Sequence, residues 1–357
     1  MNIQKLPVAL LLLATLFTGC DSDSDTPIDT PLGAYDDGIL ILNQGNFGQN
    51  NSTISFLSND FENFQANAFN AVNPGVQLGD TAQDLGFFEE KAFVILNNSD
   101  KIEIINRFTL ETISTISQGL NNPRYIAFSA GKAFVTNWGD GTNPNDDFVA
   151  VFSLADHSLL QNIPVAEGPE RILAHNSKIY VAHKGGFNFN NQISVLNANN
   201  NQVETTLQVS DVPEAMAVYN NQMYVLTSGL PAWSGNETAG NLHIINLENL
   251  TQTNSFAFAT HEHPNHLKID NNQLFYTLDA EVFATNLNFT ALPTTPIITM
   301  NPQGVYGIYG FEVHNNQIFV ADAADFNSNG KIFIYNLSGQ LIHERTAGVI
   351  PAGFYFN

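Results

Sequence analysis

The sequence predicts an all-β fold: a seven-bladed β-propeller of four-stranded antiparallel blades, closed by N- and C-terminal strands that share one blade. Three observations carry this. An aromatic-Val pair recurs at Phe93-Val94, Phe134-Val135, Tyr180-Val181, Tyr224-Val225, Phe275-Tyr276 (Tyr in place of Val) and Phe319-Val320, at intervals of 41 to 51 residues. Each unit holds four short runs of period-two alternation, the mark of strands, and four strands every 40–50 residues is the repeat of a propeller blade. Composition disfavours the alternatives. Of 357 residues 13% are charged and 27 are Phe, too aromatic for disorder and too poor in Glu, Lys and Arg for helix surfaces. A formal charge of −22 with no basic stripe argues against nucleic acid as a partner.

Taken in order, the chain opens on Lys5 and an apolar run over residues 6–17 that ends in Thr18-Gly19-Cys20. A charged start, a short apolar core and small residues make a secretory signal, and the core is too short to span a bilayer stably. Small residues followed by cysteine resemble the lipobox of bacterial lipoproteins. Residues 1–19 are therefore expected to be a signal peptide and Cys20, the single cysteine, a lipidation site, so that the membrane is reached through the lipid anchor only. Residues 20–37, rich in Asp and Pro, read as an extended tether. An acidic run behind the lipidated cysteine resembles the surface-export signal of Bacteroidota lipoproteins. The expected location is the outer membrane, facing outside the cell, with a periplasm-facing tether as the other reading.

Residues 38–357 supply the blades. Proline leads the innermost strand at Pro123, Pro169 and Pro213, with Pro264 in the corresponding place, and polar pairs such as Asn176-Ser177, Asn220-Asn221 and Asn315-Asn316 mark hairpins. Residues 38–42 look like a second strand that lacks a first. The missing strand is Pro351-Ala352-Gly353-Phe354-Tyr355-Phe356 at the other end. Pairing the two closes the ring and removes exposed sheet edges. The 320 residues from 38 to 357 divide by seven into units of about 46.

Loop length separates the two faces. First-to-second and third-to-fourth strand turns are short, whereas second-to-third strand loops and crossovers are long and carry Asn46, Phe47, Trp138, Phe187, Phe189, Trp233 and Phe326. Irregular loops on a rigid scaffold are where binding resides, and aromatic anchors beside amides and carboxylates suit a small amphipathic ligand or a partner protein. Alignment also places Gln83-Asp84, Arg124-Tyr125, Glu170-Arg171, His266 and Tyr309 at the channel mouth, just ahead of the innermost strands, with Asn43, Asn137, His183, Thr227 and Asp322 two places past the aromatic pair. Two readings stand side by side: donors and acceptors facing a ligand, or Arg pairing with Glu and Asp to hold blades together.

Three metal sites come into question. His261, His263 and His266 crowd one crossover, but at no standard zinc spacing. Asp325, Asn327 and Asn329, followed by Gly330, match the first half of a calcium loop, while Asn336 stands where the bidentate Glu belongs. Asp140, Asp146 and Asp147 form an acidic loop. No cofactor is required by any motif. There is no nucleophile elbow and no phosphate-cradling glycine loop; His183 with Asp322 or Glu170 is the one conceivable acid–base group.

The lines Lys132-Ala133-Phe134-Val135-Thr136-Asn137 and Lys178-Ile179-Tyr180-Val181-Ala182 resemble the YVTN-type propeller repeat. Ile41-Leu42-Asn43-Gln44-Gly45-Asn46, Pro123-Arg124-Tyr125-Ile126-Ala127-Phe128 and Ile350-Pro351-Ala352-Gly353-Phe354 are similar to the BtuG group, Bacteroidota surface lipoproteins of seven-bladed propeller fold. That resemblance implies a non-catalytic receptor that captures cobalamin, as a transported ligand rather than a cofactor, and hands it to a TonB-dependent outer-membrane transporter. The expected contact residues are Asn43, Asn46, Phe47, Asp84, Arg124, Tyr125, Trp138, Glu170, Arg171, His183, Phe187, Trp233, Tyr309 and Asp322. Other classes are an extracellular enzyme using the channel mouth and a scaffold for another ligand or protein.

Overall fold

Apolar side chains fall on both faces of the two middle strands of each repeat, so these strands are stable only between neighbouring sheets. Lys132–Asn137 is buried at every position but its first, and Phe148–Ser153 at all but its two ends. Outer strands are the reverse: Gln202–Gln208 is exposed at all but one position, which is half-buried. Blades stacked face to face around an axis satisfy both patterns. The computed structural model describes residues 31–357. The signal segment, Cys20 and the tether as far as residue 30 lie outside the described residues.

The described residues form seven four-stranded antiparallel sheets. The innermost strands are Pro351–Phe356, Ala82–Phe88, Pro123–Ser129, Pro169–His175, Pro213–Tyr219, Asn265–Asp270 and Gly310–His314, which we assign to blades one to seven. Gly38–Asn43 pairs with Pro351–Phe356, Ile39 opposite Phe356 and Ile41 opposite Phe354, so both ends of the ring zip into blade one. Apolar side chains gather in seven clusters, one at each blade–blade interface. Leu40, Leu42, Leu85 and Val94, for example, join blades one and two.

The polar pairs make the expected hairpins. Asn176 and Ser177, Asn220 and Asn221, and Asn315 and Asn316 all have φ between 45° and 62°, the left-handed pair that a two-residue turn needs and that Asn tolerates. Blade six breaks the pattern. Its outer strand is only Ile298–Thr299, and residues 287–297, with Pro293 and Pro296 unable to donate to a ladder, form a loop instead of a short turn. Blade one is similar, its outer strand Phe64–Gln65 being followed by the helix Ala68–Val72.

One feature sets up the mouth. Register shifts between Ala82 and Asp84, Pro123 and Ile126, Pro169 and Ile172, Pro213 and Ala215, and Asn265 and Leu267 put a bulge near the start of five innermost strands. A bulge leaves extra residues unpaired and re-aims their side chains. Gln83, Arg124, Glu170 and their successors therefore lie within the strands, rather than ahead of them as their spacing predicts.

Candidate functional site

The bulged residues build a polar ladder over the channel. Arg124 Nε and Nη2 donate to Glu170 Oε2 and Oε1, both at 2.9 Å, a bidentate pair between blades three and four with Glu170 itself buried. The Arg171 guanidinium lies 4.1 Å over the Tyr125 ring. Gln83 Nε2 donates to the Tyr125 hydroxyl at 2.8 Å. Between blades one, two and three the Tyr355 hydroxyl donates to Asp84 Oδ1 at 3.1 Å and accepts from the Leu85 N–H at 3.1 Å, while the Ile126 N–H donates to Asp84 Oδ2 at 3.0 Å. The Tyr309 hydroxyl donates to Gln44 Oε1.

Charges follow this geometry. Burial pushes the Asp84 carboxyl up, with the Ile126 N–H and the Arg171 charge working against it. Burial also opposes charge on Arg171, but Tyr125, Glu170 and Asp84 outweigh it and raise its pKa. Glu170 ends below the usual carboxylate range because Arg124 overcomes its desolvation. The ladder is thus self-neutralising. It narrows the mouth to a neck of about 100 Å³ above a channel hollow of about 280 Å³. Of the two readings of these residues, inter-blade pairing accounts for Arg124 with Glu170.

Arg124 has a second use. Its guanidinium sits 4.1 Å over the Trp138 ring, and both line an open groove of about 470 Å³ with Phe47, Phe187, Asn122 and Asp100. Trp138 packs edge-on to Phe187 at 6.2 Å, and its Nε1–H is shielded yet finds no acceptor among the described residues. Loop 44–52 walls the groove: Gly48 and Asn50 N–H groups donate to the Asp80 carboxylate at 3.1 Å, and Asn46 Nδ2 reaches Phe326 O at 2.5 Å. Phe47, Phe187 and Trp233 are 74%, 71% and 78% exposed. Trp233 packs on Phe189 at 5.4 Å. Tyr306, which no repeat position marked, is 90% exposed. These aromatics all lie on second-to-third strand loops or crossovers, the face that loop length singled out. A further hollow of about 660 Å³ lies on the rim between blades five and six, lined by Phe256, Phe258, Phe283 and Leu292, away from the mouth.

Other expected residues lie elsewhere. Asn43 and His183 are fully buried, and neither is a surface contact. Asn43 donates to Thr53 and Ser55 hydroxyls and accepts from the Gly348 N–H at 2.9 Å. Asn137, at the same place in blade three, accepts from the Asn121 N–H at 2.9 Å. This position is a latch that fastens a strand end to the preceding crossover. His183 lies 2.8 Å from the Ser194 hydroxyl, and burial lowers its pKa to about 4. Glu170 is taken by Arg124, and Asp322, in blade seven, accepts from the Ala324 N–H at 3.0 Å. No acid–base group is assembled from these three.

The metal candidates have hydrogen-bond partners within the chain. His261 and His263 both meet Glu237, at 2.6 and 3.2 Å, whereas His266 turns to Thr277 and Tyr309 O. Asp325 spends its carboxylate on its own turn, accepting from Asn327 and Ser328 N–H groups and the Ser328 hydroxyl, and Asn329 opens a strand. Among the described residues no group of three or more His, Cys, Asp or Glu side chains is placed to hold a metal ion. Asp147 accepts from the Gly168 N–H at 2.8 Å, and burial lifts its carboxyl to about 6.

Residues 37–213 match the family described as a domain of unknown function (DUF5074). No curated protein matches the chain. Among solved structures the chain is similar to a quinoprotein alcohol dehydrogenase-like protein from Bacteroides thetaiotaomicron VPI-5482, at 12% identity and a TM-score of 0.66 over 90% of this chain and 78% of the other. BamB from Moraxella catarrhalis aligns at 13% identity and a TM-score of 0.54 over 90% and 86%. Hydrazine synthase of Kuenenia stuttgartiensis aligns at 12% identity and a TM-score of 0.57 over 74% of this chain and 85% of the other. Likeness at such identities is one of fold.

Proposed function

We propose that this chain is a non-catalytic receptor that holds a broad amphipathic ligand, of cobalamin-like chemistry, on its loop-rich face, is anchored to the outer membrane through lipid on Cys20, and passes the ligand to a TonB-dependent transporter. The observation that carries the ligand reading is the set of exposed aromatics on one face around an open groove whose wall pairs Arg124 with Trp138. Exposed aromatic rings favour a flat apolar surface, and the amides of Asn98, Asn121 and Asn122 along the groove offer donors and acceptors to its polar fringe. A groove open to solvent suits a ligand that must be given up again.

Calorimetric titration with cyanocobalamin and cobinamide tests the reading. Binding at micromolar protein is expected to weaken at least about tenfold in Trp138→Ala and Phe187→Ala, the loss of one or two stacked rings. Substitutions at Asn220 and Asn315, in turns of the opposite face, are expected to leave it unchanged. Absence of heat with both corrinoids removes this ligand class. Cys20→Ser is expected to release the protein from the membrane fraction.

A further inference from the structure

A second concavity on the loop-rich face shares no lining residue with the Trp138 groove. It measures about 490 Å³ and lies between the crossover into blade seven and the 323–328 loop. Three aromatic residues, Tyr306, Tyr309 and Phe326, and two carboxylates, Asp322 and Asp325, line it, and no Lys or Arg does. Tyr309 and Phe326 meet edge to face at 5.5 Å and 82°, so two walls stand at right angles, while Tyr306 is 90% exposed. Phe326 is held at φ 62°, a conformation a bulky side chain rarely takes, and the Asn46 amide fixes its carbonyl from the next blade. The same 44–52 loop places Phe47 in the other groove and so divides the two.

Ring faces are negative and carboxylates more so, which makes such a box attractive to an organic cation and poor for an anion. The cations nearest the mouth are engaged elsewhere: Arg124 with Glu170 at 2.9 Å, Lys184 with Glu214 at 2.8 Å, and Arg171 over the Tyr125 ring at 4.1 Å. The formal charge of −22 adds a long-range field of the same sign. We infer that the pocket bounded by Tyr306, Tyr309, Phe326, Asp322 and Asp325 binds an alkylammonium group, either of a small quaternary amine or of a lysine side chain on a partner protein. This stands independently of the corrinoid reading, since the two pockets are titrated with different ligands.

The test compares choline with 3,3-dimethyl-1-butanol, its neutral isostere, by calorimetry or ligand-observed NMR on the folded protein. Choline is expected to bind saturably and about tenfold more tightly than the isostere, the discrimination a cation over rings and carboxylates supplies. Tyr306→Ala, a change at an exposed side chain, is expected to lower choline affinity several-fold with an unchanged melting temperature, and Phe187→Ala to leave it unaltered. Tighter binding of Nα-acetyl-lysinamide than of choline assigns the ammonium to a protein partner, and the reverse order to a small molecule; either upholds the site. Equal affinity for choline and its isostere, no saturable choline binding, or unchanged binding in Tyr306→Ala overturns it.

Discussion

Arg124 and Glu170 form a shielded ion pair whose side chains are 14% and 5% exposed. Removing one partner leaves the other charge buried, which costs about 3–5 kcal/mol, whereas replacing both by apolar groups is close to neutral. Arg124→Leu is therefore expected to destabilise strongly and Arg124→Leu/Glu170→Leu to recover most of the loss, measured as a double-mutant cycle in urea. Asp147 behaves oppositely. Folded, it keeps its proton to about pH 6, because burial disfavours its charge and Asp146 and Glu167 add like charge. Unfolded, it ionises near 3.8. Stability should thus fall as pH rises through that window, by up to about 3 kcal/mol, and stay lowered above it. Asp147→Asn keeps an acceptor for the Gly168 N–H and is expected to raise the melting temperature at pH 7.5 while barely changing it at pH 4.

Loops here are fastened to crossovers by backbone. Gly168, at φ 66°, accepts from the Lys184 N–H at 2.8 Å, and a Cβ on it would lie 2.1 Å from Gly186 N. Gly168→Ala is expected to cost about 2–4 kcal/mol through strain and overlap, and to displace the 184–191 loop that carries Phe187, read as loss of melting temperature together with weakened corrinoid binding. Which loops carry the exposed aromatics was legible, because short Asn-rich turns mark one face by elimination. Individual residues were legible only where the repeat aligned them. Arg124, Tyr125 and Arg171 stand at a fixed offset and meet at the mouth. Asn43 and His183 stand at a fixed offset too, but at a strand end whose side chain points into the crossover, a direction that spacing does not encode. Tyr306 lies in the irregular crossover 300–309, where exposure depends on the path of the chain and no repeat position exists to flag it.

The number of blades was legible to the last strand, because period, proline-led starts and an orphan strand at each end are all local signals that agree. The truncated outer strands of blades one and six were not, since an edge strand is set by what packs beside it. Deleting residues 351–357 is expected to open the edge of Gly38–Asn43 and strip the buried Phe354 from its cluster, giving a lower melting temperature and self-association visible by size-exclusion chromatography. The closing sheet also ties down the last residue: the Asn357 N–H donates to Gly38 O at 2.9 Å, and its side-chain amide to Tyr35 O at 2.6 Å and Arg107 O at 2.9 Å. Because head and tail meet side by side, the ring has no privileged starting point. A circularly permuted chain that keeps Tyr35, spliced from 357 to 32 through a linker and cut at the exposed Ala130-Gly131 turn, would meet the same neighbours in the same order.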